Sequence, residues 1–305
     1  MARERTRMQI SILLPVYNHV CIDLVRNLQQ QAETCDVDYE IIVADDGSMN
    51  VSTIENNRAI ADIHNCTYII RDVNVGRAAI RNFLAKTASY EWLLFLDCDV
   101  ELPDTDFMRR YIEVACDDVV DGGVRTDDDI DGWRGNLRFA YEHASEPRHI
   151  AAERRKNPYR CFRTTNFMVR RAMIQDCMFD ERFKFYGYED VLFGKRLEER
   201  GYVIRHIENP VIISDMEPND IFLEKTEEAL RTLYLFRDEL RGYSHLLDVS
   251  ERISRFIPMW LSAAFHALFG KLLRRNLMGS HPNLTVFGLY RLGYYLSLIN
   301  KNLKQ

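Results

Sequence analysis

Several common signatures are missing from this sequence, and each absence narrows the reading. The seven cysteines, at 21, 35, 66, 98, 116, 161 and 177, form no CxxC pair, and their odd number speaks against a complete disulfide framework. No apolar leader follows MARERTRMQ, so a reducing cytoplasmic setting is expected, with export by another route left open. Neither GxGxxG nor GxxxxGKS/T occurs, which removes support for a dinucleotide fingerprint and for a P-loop. The apolar stretch FIPMWLSAAFHALFG at 256–270 carries no formal charge, but its 15 residues are few for a membrane span. Acids are nearly missing from the end: residues 251–305 hold eight Lys or Arg against Glu251 alone, a net +7 that leaves −13 on residues 1–250.

What is present suits a globular chain. With 305 residues, 47% of them hydrophobic and 28% charged, it can build the core of one large domain or two small ones. The basic, apolar tail fits two readings. It is either a surface for an anionic membrane, on the inner face of the plasma membrane, or a terminal helical segment packed on the protein or a partner. No recognised nucleic-acid motif accompanies the charge, so no nucleic-acid partner is expected.

The stretch EWLLFLDCDVE at 91–101 runs a buried-strand pattern straight into Asp97 and Asp99. These carboxylates are either a solvated turn or ligands of a cation that a phosphate-bearing molecule helps to hold. The same alternation of strand and helix fills the first half. Strands are predicted at 9–17, 39–48 and 66–72, and helices at 21–35, 52–63 and 76–88. Such units give an α/β fold with a mostly parallel, Rossmann-like sheet flanked by helices. Its strand ends bring Tyr17, Asp45, Asp46, the 71–77 segment, Asp97 and Asp99 to one edge, where a nucleotide can be held.

LLPVYN at 13–18, VADDGS at 43–48, NVGRAAIRN at 74–82, FLDCDV at 95–100 and FDERFKFYGYEDVLFGKRLEERGY at 179–202 occur in that order. Together they resemble the inverting glycosyltransferases of family 2, of the GT-A nucleotide-diphospho-sugar transferase fold. The resemblance implies that Pro15, Tyr17 and Asp46, with Asp45 beside them, line the base and ribose, and that Arg77 lies near the nucleotide. It implies that Asp97 contacts ribose or sugar, and that Asp99 binds Mn²⁺ or Mg²⁺ on the diphosphate as the second acid of a DxD motif. Asp190 falls on the catalytic base, with Glu189 beside it and Gly187 giving the loop room near the sugar.

The chemistry calls for these residue types. Transfer from a nucleoside diphosphate sugar needs a stabilised leaving group and a base for the acceptor hydroxyl. The aromatic surroundings of Asp190, Tyr188 among them, can raise its pKa by desolvation. Acceptor contacts are expected from Trp133, Arg134 or Tyr159, from Thr164, Thr165 and, above these, Asn166, and around Gly187 and Tyr188. Residues 117–131, rich in acids and turn pairs, read as a mobile surface loop.

One departure stands out. Where similar sequences carry a metal-binding histidine, this one has Ile213, so Asp215, His206 or water must take its place, with Asp215 preferred. The segment 219–242 reads as a helix capped by Asn219. The expected organisation is a catalytic domain over 1–242, with a nucleotide half at about 8–120 and an acceptor half at about 121–242, and a helical C-terminal extension over 243–305. The activity implied is inverting, metal-assisted transfer of a sugar, from a UDP-sugar by preference, to a hydroxyl of a glycan or lipid-linked saccharide. A nucleotidyltransferase of similar fold and a non-catalytic glycan- or nucleotide-binding module are the alternatives.

Overall fold

The computed structural model describes residues 7–115, 118–256 and 258–302. The run ISILLPV forms the centre of the molecule because a strand buried on both faces needs no polar alternation: Ile10, Ile12, Leu13 and Leu14 are all fully buried. This strand, β1 (Met8–Val16), is followed by α1 (Ile22–Thr34), β2 (Val37–Asp45), α2 (Val51–Arg58), β3 (Cys66–Ile70), α3 (Arg77–Thr87) and β4 (Trp92–Leu96). Helix α1 buries Val25, Leu28 and Ala32, one stripe at three and four spacing. Helix α2 starts where the Asn50 side chain accepts from the amides of Ser52 and Thr53.

Strands β1, β2, β3 and β4 pair in parallel, so their C-terminal ends share one edge, as the sequence pattern predicts. Beyond them come β5 (Val100–Glu101), α4 (Phe107–Glu113), β6 (Val119–Asp121), β7 (Val124–Thr126), α5 (Leu137–His143), α6 (Ala151–Arg154), β8 (Asn166–Arg170), α7 (Arg171–Asp176), α8 (Glu189–Glu199), β9 (Ile204–His206) and β10 (Val211–Ile213). The main sheet has seven strands in the order β3-β2-β1-β4-β8-β6-β9, with β8 antiparallel to β4 and β6. A second sheet, β5-β10-β7, closes over the loop that follows β4. Val100 pairs with Ile213 across the antiparallel β5 and β10, so the residues just before Val100 face the loop just after Ile213.

The expectation of a surface loop over 117–131 is corrected in part. Val119, Val120 and Asp121 are buried in β6, while Asp127, Asp128 and Asp129 lie in the turn that follows β7; Asp117 lies outside the described residues. The GG pair misled because it separates two short strands instead of starting a loop. Asp121 is balanced by Arg154, whose Nη1 lies 3.0 Å from Oδ1, and the His206 Nδ1 lies 3.2 Å from Oδ2 and 2.9 Å from that same Nη1.

The C-terminal segment is α9 (Asn219–Leu235), α10 (His245–Phe256), α11 (Met259–Leu277) and α12 (Leu284–Asn302). Asn219 does not cap α9; Pro218 holds that position, and the Asn219 side chain accepts from the Leu137 amide at 2.7 Å. Leu247 and Tyr295 join the core beneath the sheet, and Phe287, Tyr290 and Leu277 pack with Leu137 and Leu223. The extension is therefore docked on α5 and α9. Its α11 leaves Leu268 and Leu272 largely exposed.

Removing one partner of a buried charge pair leaves the other uncompensated, at a cost of about 3–5 kcal/mol. Arg154→Ala is expected to lower the stability by that order, read from the urea midpoint at pH 7. A loss smaller than about 1 kcal/mol, the range of exposed pairs, would show that the Asp121 cluster contributes little.

Candidate active site

The shared strand edge opens into a cleft of about 480 Å³ lined by Pro15, Tyr17, Asp46, Arg77, Asp97 and Asp99. Asp46 holds its rim: its carboxylate accepts from the amides of Val75 at 3.1 Å and Gly76 at 3.0 Å, tying the end of β2 to the start of α3. Gly47 permits this closeness, since a Cβ there would meet the Asn74 nitrogen at 2.6 Å and its φ is +72°. Burial raises the Asp46 pKa, against these two amides. Asp45 is corrected. It is fully buried behind the cleft, where it accepts from the Tyr68 hydroxyl at 2.8 Å and the Ser48 amide at 2.7 Å.

Four charges lock the floor. Arg77 donates to Asp97 Oδ2 at 2.9 Å and to Glu189 Oε1 at 2.8 Å, and Arg81 donates to Asp97 Oδ1 at 2.5 Å. Burial works to raise the Asp97 pKa, but Arg77 and Arg81 overturn it and hold the carboxyl below its ordinary value. Arg81 is itself buried, and desolvation lowers its pKa. The sequence reading missed Arg81, although it stands four residues after Arg77 on the same helical face.

A second cleft of about 440 Å³ adjoins the first and shares Arg77, Asp97 and Asp99 with it, adding Gly187, Tyr188, Glu189 and Asp190. Gly187 and Tyr188 have φ of +91° and +69°, a tight reversal that delivers Glu189 and Asp190 to the first turn of α8. The expected reason for Gly187 needs correction: a Cβ there would meet the Ala229 Cβ at 2.8 Å, so the glycine makes room for α9. Asp190 Oδ1 accepts from the Val191 amide at 2.8 Å. Burial, followed by the negative charge of Glu189, pushes the Asp190 pKa up to about 6. Among the described residues neither Asp99 nor Asp190 has an ion-pair partner, whereas both oxygens of Asp97 face arginines and Glu189 pairs through Oε1.

Other expected contacts do not reach the cleft. Asn166 is buried with its side chain fully used, accepting from the Tyr111 hydroxyl at 2.7 Å and donating to the carbonyls of Gly123 and Asn209 at 2.9 Å each. Trp133 packs, partly buried, against the hydrophobic core, and the Tyr159 hydroxyl donates to the Tyr202 carbonyl. Thr164 and Thr165 do line the second cleft. Arg138, Glu217 and Lys225, missed because they come from three distant segments, form an ion-paired belt on the wall.

His206 has no capacity left for a metal: its Nδ1 faces Asp121 and Arg154, and its Nε2 lies 3.0 Å from the Pro158 carbonyl. Among the described residues no group of three or more His, Cys, Asp or Glu side chains is placed to hold a metal ion. Asp99 and Asp215 line one cavity wall as oxygen donors, a set that suits a hard cation whose shell phosphate oxygens complete.

The sequence pattern described as glycosyl transferase family 2 matches residues 11–178. The chain belongs to that family. Chondroitin synthase of Escherichia coli is 26% identical over 243 residues, covering 68% of this chain and 35% of the relative. The chain thus spans about a third of that relative's length. Among solved structures, a mannosyltransferase from Pyrobaculum calidifontis in complex with GDP-Man and Mn²⁺ superposes with a TM-score of 0.55, at 16% identity, covering 98% of this chain and 88% of that one. S. aureus TarS 1–349 in complex with UDP-GlcNAc gives 0.51 at 14% identity, covering 97% and 92%. The architecture of this family 2 chain is the GT-A fold.

The raised Asp190 pKa has a consequence for stability. A folded-state value of about 6 against an ordinary 3.8 means that the Asp190 contribution to stability is fully present below 3.8 and is lost as pH rises through about 6, because the buried carboxyl must ionise. Asp190→Asn is expected to raise the Tm at pH 7.5 by a few degrees, an advantage that shrinks toward pH 4. Differential scanning fluorimetry across this range checks it. A lower Tm at pH 7.5, or a difference independent of pH, would contradict the assignment.

Proposed function

We propose that this chain transfers a sugar from a nucleoside diphosphate sugar, a UDP-sugar by preference, to a hydroxyl of a glycan or lipid-linked saccharide, with inversion at the anomeric carbon. The observation that carries the reading is Asp190: a carboxylate without an ion-pair partner, with a pKa near 6, lining a cleft that shares Asp99 and Arg77 with the donor cleft. A base works best when its pKa lies close to the working pH. A nucleotidyltransferase has no need for such a base on the acceptor side.

In this reading Pro15, Tyr17 and Asp46 hold the base and ribose, and Arg77 and Asp97 form the floor beneath the sugar. Asp190 takes the proton of the acceptor hydroxyl as the new bond forms, and Glu189 holds Arg77 in place beside it. Asp99 and Asp215 would hold Mn²⁺ or Mg²⁺. Such a cation supplies stabilisation of the negative charge that develops on the leaving diphosphate. Support for donor and acceptor classes comes from the GDP-Man, UDP-GlcNAc and Mn²⁺ of the two structural neighbours and from the name of the chondroitin synthase relative.

Peripheral membrane contact belongs to the same proposal and is assigned to α11. No helix among the described residues is long and apolar enough to cross a membrane. On α11, however, Leu261, Phe265, Leu268, Phe269 and Leu272 are exposed beside Lys271 and Arg275, and no acid follows Glu251.

Asp190→Asn is expected to keep donor affinity, measured by titration, while turnover falls about 10²–10⁴-fold. Wild-type turnover is expected to decline as pH drops below about 6, and NMR of the product should show inverted configuration. Near-normal turnover removes Asp190 as the base, and a retained configuration rules out single displacement. For the tail, Leu268→Glu with Leu272→Glu is expected to abolish binding to anionic liposomes at low salt without altering donor affinity. Equal binding by wild type and variant, or no binding by wild type, would reject α11 as the contact.

A further inference from the structure

We propose that Arg138 and Lys225, on the wall between the two clefts, neutralise the negative charge that develops on the departing nucleoside diphosphate. The proposal rests on the nucleotide-sugar reading of the site. In that transfer the acceptor oxygen bonds to the anomeric carbon and gives its proton to Asp190, while the diphosphate oxygen leaves with the electron pair of the broken bond. That bond lies where the donor cleft meets the cleft of Asp190. Six residues line both clefts: Arg77, Asp97, Asp99, Arg138, Tyr186 and Lys225. Three of them are cations, and Arg77 is already engaged, with Asp97 at 2.9 Å and Glu189 at 2.8 Å. Arg138 and Lys225 instead share a single carboxylate. Arg138 pairs with Glu217 Oε2, and Lys225 Nζ lies 3.1 Å from Glu217 Oε1. Neither cation has a carboxylate of its own.

The second support is that both cations are held in place from outside the cleft. Asn136 accepts from the Phe139 amide at 2.8 Å and donates to the Glu217 carbonyl at 3.0 Å, and Arg138 Nη1 donates to the Asp215 carbonyl at 3.2 Å. The start of α5 is thereby tied along residues 215–217. The Arg138 and Glu217 side chains are 16% and 13% exposed, so their charges are set in the wall, while Lys225 is 42% exposed and reaches past them. Lys225 stands on α9 one turn before Ala229, the residue that backs Gly187, so the same helix positions the ammonium and the turn that leads to Asp190. The Tyr186 ring lies between the cations, 5.8 Å from the Arg77 guanidinium and 5.9 Å from Lys225 Nζ.

Charge chemistry supplies the rest. Fixed cations aimed at the place where charge develops stabilise a transition state without reorganising at the moment of reaction. A guanidinium offers phosphate oxygens a planar fork, and an ammonium offers a point charge with three donors, of which Glu217 takes one from Lys225. The competing account is a structural staple in which Glu217 and its two cations only hold α5, residues 215–217 and α9 together. A staple has no preference between a diphosphate and a monophosphate.

The test uses the full chain and titration calorimetry with UDP, UMP, GDP and GMP in excess EDTA, so that side chains alone act on the phosphates. Wild type is expected to bind the diphosphate of its preferred base about ten-fold or more tighter than the monophosphate. Lys225→Met and Arg138→Gln are each expected to lose most of that preference with monophosphate affinity unchanged, and to lower turnover measured with Mn²⁺ by about 10²-fold. Lys225→Arg, which restores the charge, is expected to recover the preference. Where Arg138→Gln lowers stability, the partly exposed Lys225 decides. No diphosphate preference in wild type, equal weakening of both nucleotides in Lys225→Met, or unchanged turnover in that variant overturns the proposal. Failure of the reading beneath it is distinct: wild type would then bind neither UDP nor GDP, even with Mn²⁺ restored.

Discussion

The charge cluster of Arg77, Arg81, Asp97 and Glu189, buried except for the half-exposed Arg77, is the constraint on which the site depends. Two cations and two anions meet where α3, the end of β4 and the start of α8 converge, and the Arg77–Glu189 contact joins residues 112 apart in sequence. Arg81, Asp97 and Glu189 are buried, and a buried charge that loses its partner is costly, so these three hold as a set with the half-exposed Arg77. It also decides which acids remain for chemistry. Once Asp97 and Glu189 are paired with arginines, Asp99 and Asp190 are left without ion-pair partners among the described residues, both on the second cleft and Asp99 on the first as well.

Asp190 has a high pKa even at the start of a helix, where the dipole favours negative charge. Burial and the neighbouring Glu189 carboxylate together outweigh the dipole, the Val191 amide and the positive charges of Arg163 and Arg77. The chain reaches this arrangement through a costly turn. Tyr188 occupies the left-handed region at φ +69°, which a bulky residue seldom adopts, directly after Gly187 at +91°. Glu189, held by Arg77 and within 3.7 Å of Arg81, fixes the first turn of α8 just beyond it.

Strand order, the shared edge and the acids upon it were legible because each leaves a local mark: an apolar run, then a carboxylate. The fold and the cleft at the strand edge follow from that pattern, with Tyr17, Asp46 and Asp99 upon it, whereas Pro15 entered through the resemblance to family 2. What escaped lies in partners distant in sequence. Asn166 read as a polar residue entering a buried strand, which is correct, but Tyr111, Gly123 and Asn209, 55, 43 and 43 residues away, consume its side chain. Asp45 and Asp46 are indistinguishable as letters, and the alternation of a strand sends one inward and one to the cleft. The belt of Arg138, Glu217 and Lys225 had no local signal at all, and Asp121 was hidden by a glycine pair that imitates a loop.

The C-terminal helices bear on the same site through contiguous packing. Helix α12 packs on α9 and α5, α9 presents Ala229 to Gly187, and Gly187 and Tyr188 lead straight into Asp190. Arg291 of α12 donates to the Tyr141 hydroxyl at 3.3 Å, and Tyr141 lines the second cleft. A segment that merely tethered the chain would need none of these contacts. Because Tyr290 and Tyr295 are buried against the rest of the protein, loss of α12 would uncover α9 and release the wall against which the Gly187 turn is pressed. The tail therefore divides by physical role: α12 belongs to the scaffold that backs the second cleft, and α11 keeps exposed apolar residues such as Leu268 and Leu272.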